Sequence, residues 1–324
     1  MEKMLYGVAL KTGMENEMKK DPMVFVAGED VGKYGGCFGQ TKGLFEEFGP
    51  QRVMDTPISE TAIIGLGCGA AAAGMRPIVE LMYIDFAGVA MDEIMNQVAK
   101  MRYMFGGKCK MPLVIRASCG AGCRLAAQHS QMLESMFTHI PGLKVVCPAT
   151  PADAKGLMQQ AVRDDNPVLY LENKSLLNSL EGEVPDGDYY VPFGKANILR
   201  EGTDITIIAW SMMVHKAMEA AEELAKQGVS AEVIDPRTLV PFDKEALFNS
   251  IKKTHRLAIV QEDTRTSGFA SEIVTMVAET CIDELEENVI RITAPDCPVP
   301  YSPVLEDAYI PSSERIVKEI MEIF

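Results

Sequence analysis

The sequence predicts an α/β fold with mostly parallel sheets, divided between two domains. Short apolar runs, each about the length of a buried strand, alternate along the chain with segments of helical periodicity, and this alternation is typical of α/β layers. The chain has 324 residues, near the size at which a single hydrophobic core stops growing, so two domains are expected. We expect them to span residues 1–185 and 186–324.

The first half of the chain contains five apolar runs that we interpret as strands and three segments that we interpret as helices. The predicted strands are Val24–Ala27, Ile78–Met82, Leu113–Arg116, Lys144–Cys147 and Val168–Glu172. The predicted helices are residues 1–20, which are amphipathic with charges throughout, Met91–Phe105 and Pro151–Arg163. In the last of these, Pro151 suits the first turn, and Asp153 interacts favourably with the positive end of the helix dipole.

A looser segment, Ser179–Tyr190, separates the two halves. It contains Gly182, Pro185 and Gly187 among several acidic residues, and we interpret it as the linker between domains. A second α/β unit follows. Its predicted strands are Asp204–Ala209, Ser230–Ile234 and Leu257–Gln261, and its predicted helices are Val214–Gln227, Gly268–Thr280 and the C-terminal stretch Ile316–Phe324.

The composition is that of an ordinary globular protein, with 47% hydrophobic and 24% charged residues. The formal net charge is -15 and the basic residues are scattered, whereas nucleic-acid-binding proteins present a clustered basic face. No stretch approaches the roughly 20 apolar residues that a membrane helix needs, and the charged N-terminus lacks the apolar region of a signal peptide. We therefore expect a cytoplasmic protein that binds neither nucleic acid nor membranes.

The eight cysteines form no Cys-x-x-Cys pair. The closest two, Cys119 and Cys123, have three residues between them, whereas zinc and redox motifs need tighter, repeated spacing. We expect buried free thiols, as is usual in a reducing compartment.

A glycine-rich segment, Gly65–Gly74, resembles a dinucleotide-binding fingerprint, with Asp85 in the place of the acid that binds the ribose. A Rossmann motif follows an apolar strand directly, but the residues before this segment are charged and include Pro57. We interpret the segment as a helix of small residues packed tightly against another backbone. A nicotinamide-dependent reductase is the alternative that this pattern would imply.

Two polar residues are candidates for chemistry. Glu60 lies where a proline-bearing loop, Asp55–Ser59, meets the small-residue helix; the helix dipole favours a carboxylate there, and that alone would explain it. His129, between Gln128 and Ser130, follows a loop rich in Gly and Ala, a setting that suits proton transfer near neutral pH. A histidine that only satisfies its hydrogen bonds would look the same. No nucleophile elbow, P-loop or zinc-protease motif is present.

A series of short motifs occurs in a fixed order along nearly the whole chain. They are Asp55–Glu60, Gly74–Glu80, Ala127–Gln131, Pro141–Val146, Asp153–Gly156, Asp165–Val168, Leu171–Asn173, Pro300–Pro303 and Leu305–Asp307. Together they resemble the β subunits of the thiamine-diphosphate-dependent 2-oxo acid and acetoin dehydrogenases, which have a transketolase-like fold.

This resemblance implies a first domain that binds the aminopyrimidine of thiamine diphosphate and a smaller C-terminal α/β domain. It also implies an α2β2 assembly, in which the α subunit supplies the diphosphate and Mg²⁺ site, and a lipoyl-bearing acyltransferase as the next partner. The family's Gly-Asp-Gly metal-diphosphate motif is not found here, and Pro185–Asp188 only comes near it. We therefore expect the chain to be inactive without its α subunit.

The resemblance also assigns roles to individual residues. Glu60 would hydrogen-bond a ring nitrogen of the aminopyrimidine and favour the imino tautomer that activates the thiazolium ring. Phe86 would pack against the pyrimidine, with Ile58 and Met82 beside it. His129 would lie near the substrate, to orient it or assist transfer to lipoate. A structural K⁺ site, built mostly from backbone carbonyls, is implied at Leu113, Ala161, Val162, Asp164 and Asn166.

Two segments bear on the substrate. Asn96–Gly107 and Phe137–Gly142 resemble the acetoin dehydrogenase branch more than the pyruvate branch, so we prefer acetoin to pyruvate or a branched-chain 2-oxo acid. The loop Ser118–Leu125 departs from the usual pattern by carrying two cysteines. The end of the C-terminal stretch Ile316–Phe324 could contact the acyltransferase's subunit-binding domain, although an ordinary domain-closing helix would look the same. A non-catalytic scaffold subunit is a further alternative.

Overall fold

A computed structural model describes residues 1–324, which form a seven-stranded, a five-stranded and a two-stranded sheet. The strands of the largest sheet are β2 (Val24–Gly28), β3 (Val53–Asp55), β4 (Arg76–Tyr83), β5 (Val114–Cys119), β6 (Lys144–Val146), β7 (Val168–Asn173) and β12 (Thr238–Val240). Their order is β12-β6-β7-β5-β4-β2-β3, and every pair is parallel except β12 with β6. The five strands predicted in the first half are confirmed.

Helices pack against this sheet. Some of them begin and end where the sequence predicted, and others do not. They are α1 (Tyr6–Lys20), α2 (Leu44–Phe48), α3 (Glu60–Ala72), α4 (Ala99–Met104), α5 (Glu134–Thr138), α6 (Pro151–Arg163) and α7 (Lys174–Leu177). Helix α6 is confirmed at both ends, since it has the predicted bounds Pro151–Arg163. At its start, Pro151 occupies the first turn and the Thr150 hydroxyl accepts the N–H of Asp153 at 3.1 Å. The helix predicted over Met91–Phe105 is irregular, since a π-helical stretch, Glu93–Val98, precedes α4.

The five-stranded sheet belongs to the second half of the chain. Its strands are β9 (Asn197–Arg200), β10 (Ile205–Ala209), β11 (Ala231–Asp235), β13 (Leu257–Thr264) and β14 (Ile290–Ala294), in the order β14-β13-β10-β11-β9. Only β9 runs antiparallel. The accompanying helices are α8 (Met212–Lys226), α9 (Lys244–Thr254), α10 (Phe269–Thr280), α11 (Pro303–Tyr309) and α12 (Ser313–Met321). The predicted strands of this half and the helices α8 and α10 are confirmed.

The segment predicted as a linker is partly regular structure. Within it, β8 (Glu181–Val184) pairs in antiparallel fashion with β1 (Glu2–Leu5), so the predicted N-terminal helix begins only at Tyr6. The two strands carry exposed charges, among them the Lys3–Glu181 ion pair of 3.0 Å. Neither strand has the apolar run by which a strand is recognised in a sequence.

The two halves share packing. Strand β12 lies far beyond residue 185 in the chain, yet it pairs with β6 at the edge of the first sheet. One cluster of buried residues contains Leu81 and Phe137 from the first half and Trp210 and Phe269 from the second. The Trp210 indole N–H donates to Glu134 Oε1 at 2.9 Å. The boundary near residue 185 therefore stays a prediction.

Helix α3 carries the glycine-rich segment, and its two faces differ. Gly67 faces the sheet, where a Cβ would lie 2.8 Å from Leu113 Cδ1 and 2.9 Å from Val79 Cγ1. Gly65 and Gly69 are exposed, and a Cβ on either would contact nothing within 4 Å. The predicted tight packing is thus correct for Gly67, although the contact is with side chains rather than a backbone. For Gly65 and Gly69 it is wrong within this chain.

All eight cysteines are free, as predicted, and four of them are buried: Cys68, Cys119, Cys147 and Cys281. Cys297 is exposed and the other three are half-buried. None of the helices is both long enough and apolar enough to cross a membrane.

Candidate functional site

A cavity of about 460 Å³ opens at the carboxyl ends of β2, β3 and β4. In open α/β sheets, ligands bind outside the carboxyl ends of the strands, because the loops that follow parallel strands meet there. Its lining is Glu29, Asp30, Thr56, Ile58, Glu60, Met82, Tyr83, Phe86 and His129. All five residues predicted for the catalytic and cofactor-binding site therefore face one cavity.

Glu60 enters this cavity from the start of a helix. It is the first residue of α3 and is only 9% exposed. The N-terminal end of a helix carries a partial positive charge, which favours a carboxylate in the first turn. Ile58 lies two residues earlier, on the loop that joins β3 to α3, and is 83% exposed at the rim. Glu60 is thus a buried acceptor beside an open, apolar edge.

Three rings form an aromatic wall of the cavity. His129 meets Tyr83 and Phe86 edge to face, with ring centres 4.8 and 5.2 Å apart, and the rings of Tyr83 and Phe86 lie 5.7 Å from each other. Edge-to-face contacts at such distances are favourable beyond the apolar area that they bury. The imidazole of His129 is therefore held by two aromatic neighbours rather than by a charged partner.

The cavity also contains residues that the sequence did not single out for chemistry: Glu29, Asp30, Thr56 and Tyr83. Burial, and after it the charges of Glu60 and Asp30, raises the pKa of the Glu29 carboxyl. A usable signal was present for Glu29 and Asp30, since an acidic pair directly after a buried strand is placed at the carboxyl edge of a parallel sheet.

Tyr83 could not be found in this way, because it directly follows the predicted strand Ile78–Met82 and, as an aromatic residue at a strand end, resembles a core position. Burial and the thiol of Cys37, 3.6 Å from the phenol oxygen, raise the pKa of Tyr83. The phenol is therefore neutral at physiological pH. The ammonium of Lys174 lies 5.5 Å from the centre of the Tyr83 ring, a favourable cation–π distance.

The residues predicted for a K⁺ site surround one turn between α6 and β7, next to the start of β5. Four of the five backbone carbonyl oxygens, those of Leu113, Ala161, Val162 and Asp164, already accept hydrogen bonds. The Leu113 oxygen accepts a backbone N–H of β7 at 2.9 Å. The Val162 and Asp164 oxygens accept from the guanidinium of Arg76 at 2.9 and 3.3 Å. A cation here would use the second lone pair of each carbonyl and would lie beside the positive charge of Arg76.

A larger cavity, of about 950 Å³, lies between α5 and the start of α10. Its lining mixes apolar side chains such as Phe242 and Met276 with hydroxyl groups such as those of Ser135 and Thr266. It shares no residue with the smaller cavity. Of the two, the smaller cavity is the one that combines a buried helix-start carboxylate, a histidine and an aromatic wall.

Comparison with known proteins identifies the architecture. Residues 2–179 match the transketolase pyrimidine-binding domain family, and residues 194–316 match the transketolase C-terminal domain family. A solved structure described as a split-gene transketolase, inactive β4 tetramer, superposes with a TM-score of 0.81 at 22% identity and covers 98% of this chain and 97% of its own. The predicted α/β fold with two transketolase-like domains is confirmed.

Relatives that align with nearly the full length of the chain identify its family more closely. The β subunit of acetoin:2,6-dichlorophenolindophenol oxidoreductase from Cupriavidus necator is 50% identical over 95% of this chain and 94% of its own length. The same subunit from Bacillus subtilis is 47% identical over 97% and 95%. The 2-oxoisovalerate dehydrogenase subunit beta of Bacillus subtilis is 44% identical over 100% and 99%. This chain therefore belongs to the family of transketolase-like β subunits of thiamine-diphosphate-dependent dehydrogenases.

Proposed function

We propose that the chain is the β subunit of an α2β2 dehydrogenase that cleaves acetoin oxidatively and passes the acyl group to the lipoyl group of a partner acyltransferase. The observation that carries the proposal is the single cavity that Glu60, Phe86 and His129 share. The two relatives named as acetoin oxidoreductase β subunits favour the substrate. A cytoplasmic location remains a prediction.

The lining of the cavity fits an aminopyrimidine. Such a ring is flat, with an apolar face and hydrogen-bonding nitrogens at its edge. Phe86, Met82 and Ile58 supply apolar walls, and the carboxylate of Glu60 supplies an acceptor for a ring N–H. The volume lies within the range of about 300–1,000 Å³ that is usual for small-molecule sites.

The charge of the cavity supports a division of labour between two polypeptides. Glu29, Asp30 and Glu60 line it together with no lysine or arginine, so an anionic diphosphate would be repelled there. Ile58 at the rim and Leu66 on α3 expose apolar side chains, as does Val89, whose carbonyl accepts the hydroxyl of Thr61 on α3 at 2.9 Å. Exposed apolar patches commonly mark contact surfaces. We infer that the α subunit covers this rim and holds the diphosphate and Mg²⁺.

The residues of this chain would bind, orient and exchange protons. Bound thiamine diphosphate would supply the carbon nucleophile that attacks the substrate carbonyl, as cofactors generally supply the difficult chemistry. Glu60 would hold a proton at a pyrimidine nitrogen, and Phe86 would fix the plane of that ring. His129, in the aromatic wall, would orient the substrate and deliver a proton to its oxygen. Positioned acid–base groups of this kind typically contribute about 10²–10⁴ in rate.

A comparison of substrates tests the proposal. The chain is co-expressed with its α subunit, and turnover of acetoin, pyruvate and 2-oxoisovalerate is measured with an artificial electron acceptor, with and without thiamine diphosphate and Mg²⁺. We expect cofactor-dependent activity with a kcat/KM for acetoin at least about 10-fold above that of the other two, the smallest factor typical of discrimination by one methylene group. Faster turnover of 2-oxoisovalerate would establish the second candidate, favoured by a relative 44% identical over the whole chain.

The same preparation distinguishes a thiamine-dependent dehydrogenase from the two other classes of protein considered. Tight NADH binding by the isolated chain without any need for thiamine would indicate a nicotinamide-dependent reductase. An assembled complex that stays fully active after substitution of both Glu60 and His129 would indicate a scaffold subunit.

Two further parts of the proposal concern the end of the chain and K⁺. The Phe324 ring packs 4.9 Å from the guanidinium of Arg256, beyond the end of α12, and we propose that this end contacts the subunit-binding domain of the acyltransferase. Removal of residues 322–324 should weaken that binding and preserve activity with an artificial acceptor.

For the K⁺ site, we expect the protein to have a higher melting temperature in potassium chloride than in choline chloride. Equal melting temperatures would contradict the site.

A further inference from the structure

The loop that presents His129 is tied to the C-terminal half of the chain by buried carboxylates. Glu262, in β13, accepts the backbone N–H of Ala121 at 2.5 Å through one oxygen and the Asn173 side-chain amide at 2.8 Å through the other. The loop follows β5, in the first half of the chain. A carboxylate from the five-stranded sheet therefore accepts a hydrogen bond from the backbone of a loop that follows a strand of the seven-stranded sheet.

Glu306 makes a second tie a few residues further along. Its Oε1 accepts the N–H of Gly122 at 2.7 Å, and its Oε2 accepts the N–H of Arg124 at 3.1 Å and the guanidinium of Arg124 at 2.8 Å. The side chain of Glu306 is 0% exposed. Charge-assisted hydrogen bonds to a buried carboxylate are among the stronger ones in proteins, so the loop is held at several points in close succession.

The backbone of the loop needs such support. Gly120, Gly122, Arg124 and Ala126 all have positive φ angles, of 87°, 96°, 61° and 62°. For Arg124 and Ala126 this left-handed conformation is unfavourable, and it persists only where the surroundings impose it. The loop conformation is therefore set by its contacts and not by local preference.

The other end of the loop is clamped beside the cavity. Asp85 Oδ1 accepts both the backbone N–H of Gln131 at 3.2 Å and its side-chain amide at 2.9 Å, and the Gln131 carbonyl accepts the N–H of Gly120 at 3.0 Å. His129 lies two residues before Gln131, between these closed ends. A shift of residues 121–124 would therefore be transmitted to the imidazole.

We propose that Glu306 and Glu262 are positioning residues for the reaction, through which the C-terminal half of the chain sets the place of His129 in the cavity. This inference rests on the proposed role of His129. Both carboxylates use their oxygens on one loop and its immediate neighbours, rather than on their own elements. The geometric tolerance of such a site is small, since a displacement of about 1 Å can cost about 10²-fold in rate.

The test replaces Glu306 by Gln in the complex with the α subunit. A glutamine amide presents an N–H₂ group to donors that require an acceptor, so the loop loosens. We expect kcat to decrease about 10- to 100-fold, with an unchanged dissociation constant for thiamine diphosphate, because Glu60 is carried by α3. Hydrogen exchange of the amides of Ala121, Gly122 and Arg124 should become faster in the same complex.

Two variants calibrate this result. Asp307→Asn removes only the charge of the second partner of Arg124. The Asp307 side chain is 64% exposed, so this variant should leave both kcat and amide exchange as in the parent. Glu306→Asp keeps the charge but withdraws the carboxylate, and should give an intermediate loss in a protein that retains its fold.

A double-mutant cycle with His129→Ala decides between positioning and general support. If Glu306 acts through His129, Glu306→Gln should change the residual rate by less than roughly twofold in the His129→Ala background, because coupled residues are not additive. An equal loss in both backgrounds, or unchanged amide exchange over residues 121–124, would overturn the inference. Full activity of His129→Ala alone would instead refute the proposed role of His129, while the exchange data would still report on the loop.

Discussion

Arg116 lies inside the first sheet with a carboxylate on either side. Its guanidinium contacts Glu80 Oε2 and Glu172 Oε1, each at 2.6 Å, and its side chain is 1% exposed. Burial raises the pKa of Glu80 to about 7, although the charge of Arg116 acts in the opposite direction. A buried ionic cluster adds little net stability over an apolar one, but removing one member leaves uncompensated charge.

Replacing Arg116 by Met should therefore lower the free energy of unfolding by about 3–5 kcal/mol near neutral pH. The folded pKa of Glu80 lies above its ordinary value of 4.5, so its stabilising contribution is complete below that value and is lost as the pH rises through about 7. Loss of Arg116 raises the folded pKa further. The difference between variant and parent should thus widen as the pH rises above about 7, as measured by urea unfolding.

The matched control is Lys226→Met, which removes an exposed ion pair with Glu223 of 2.7 Å. Exposed pairs contribute less than about 1 kcal/mol. Equal effects of the two substitutions, or a difference that does not depend on pH, would show that Arg116 is not the compensating charge of the sheet.

Single residues were predictable where motifs or strand ends marked them. Glu60 stood at a loop–helix junction, and the structure places it at the first position of α3. Tyr83 was marked by no motif, and the motif Leu305–Asp307 contains Glu306 without indicating what its side chain contacts. The sequence contains no information on which strand end meets which helix, and the importance of both residues arises from contacts over long separations along the chain.

Among the elements, α3 packs against the first sheet at Gly67 and carries Glu60 into the cavity. Gly67→Ala adds a methyl group between Leu113 and Val79, and Val79 has a branched, stiff side chain. Overpacking typically costs about 1–3 kcal/mol, of which the better helix propensity of alanine recovers up to about 1 kcal/mol. We expect a lower melting temperature for the isolated chain.

Gly65→Ala is the control on the same helix, because its Cβ would contact nothing within 4 Å. The isolated chain should keep or slightly raise its melting temperature, since only helix propensity changes. A Gly67→Ala protein as stable as Gly65→Ala would mean that α3 does not pack against the sheet as described.

Most elements with a local signal were predicted, although α9 was missed despite its cap at Asp243. Elements without a local signal were not predicted. Helix α6 has a proline at its first turn and a side-chain cap, and both are visible in the sequence. Strands β1, β8 and β12 are three or four residues long and lack an apolar run. They exist because of their pairing partners, and pairing between residues 2–5 and 181–184 is invisible to periodicity.

For the whole molecule, the exposed apolar surface is the feature that the fold of one chain leaves unexplained. Besides Ile58 at the rim of the cavity, Tyr103, Met104 and Phe105 are exposed together at the end of α4, and Tyr301, Val304 and Leu305 are exposed around the start of α11. Apolar groups of this size suit contact with other subunits. Such surfaces are consistent with membership of a multi-subunit family.

The central claim is that the carboxylate of Glu60 serves the thiamine cofactor inside a complex whose α subunit holds the diphosphate. The most direct measurement is the kcat of the complex carrying Glu60→Ala, with thiamine diphosphate and Mg²⁺ in excess and with assembly verified by mass. We predict a decrease of about 10²–10⁴-fold, the usual contribution of a positioned acid–base group. Full activity of the assembled variant would contradict the claim.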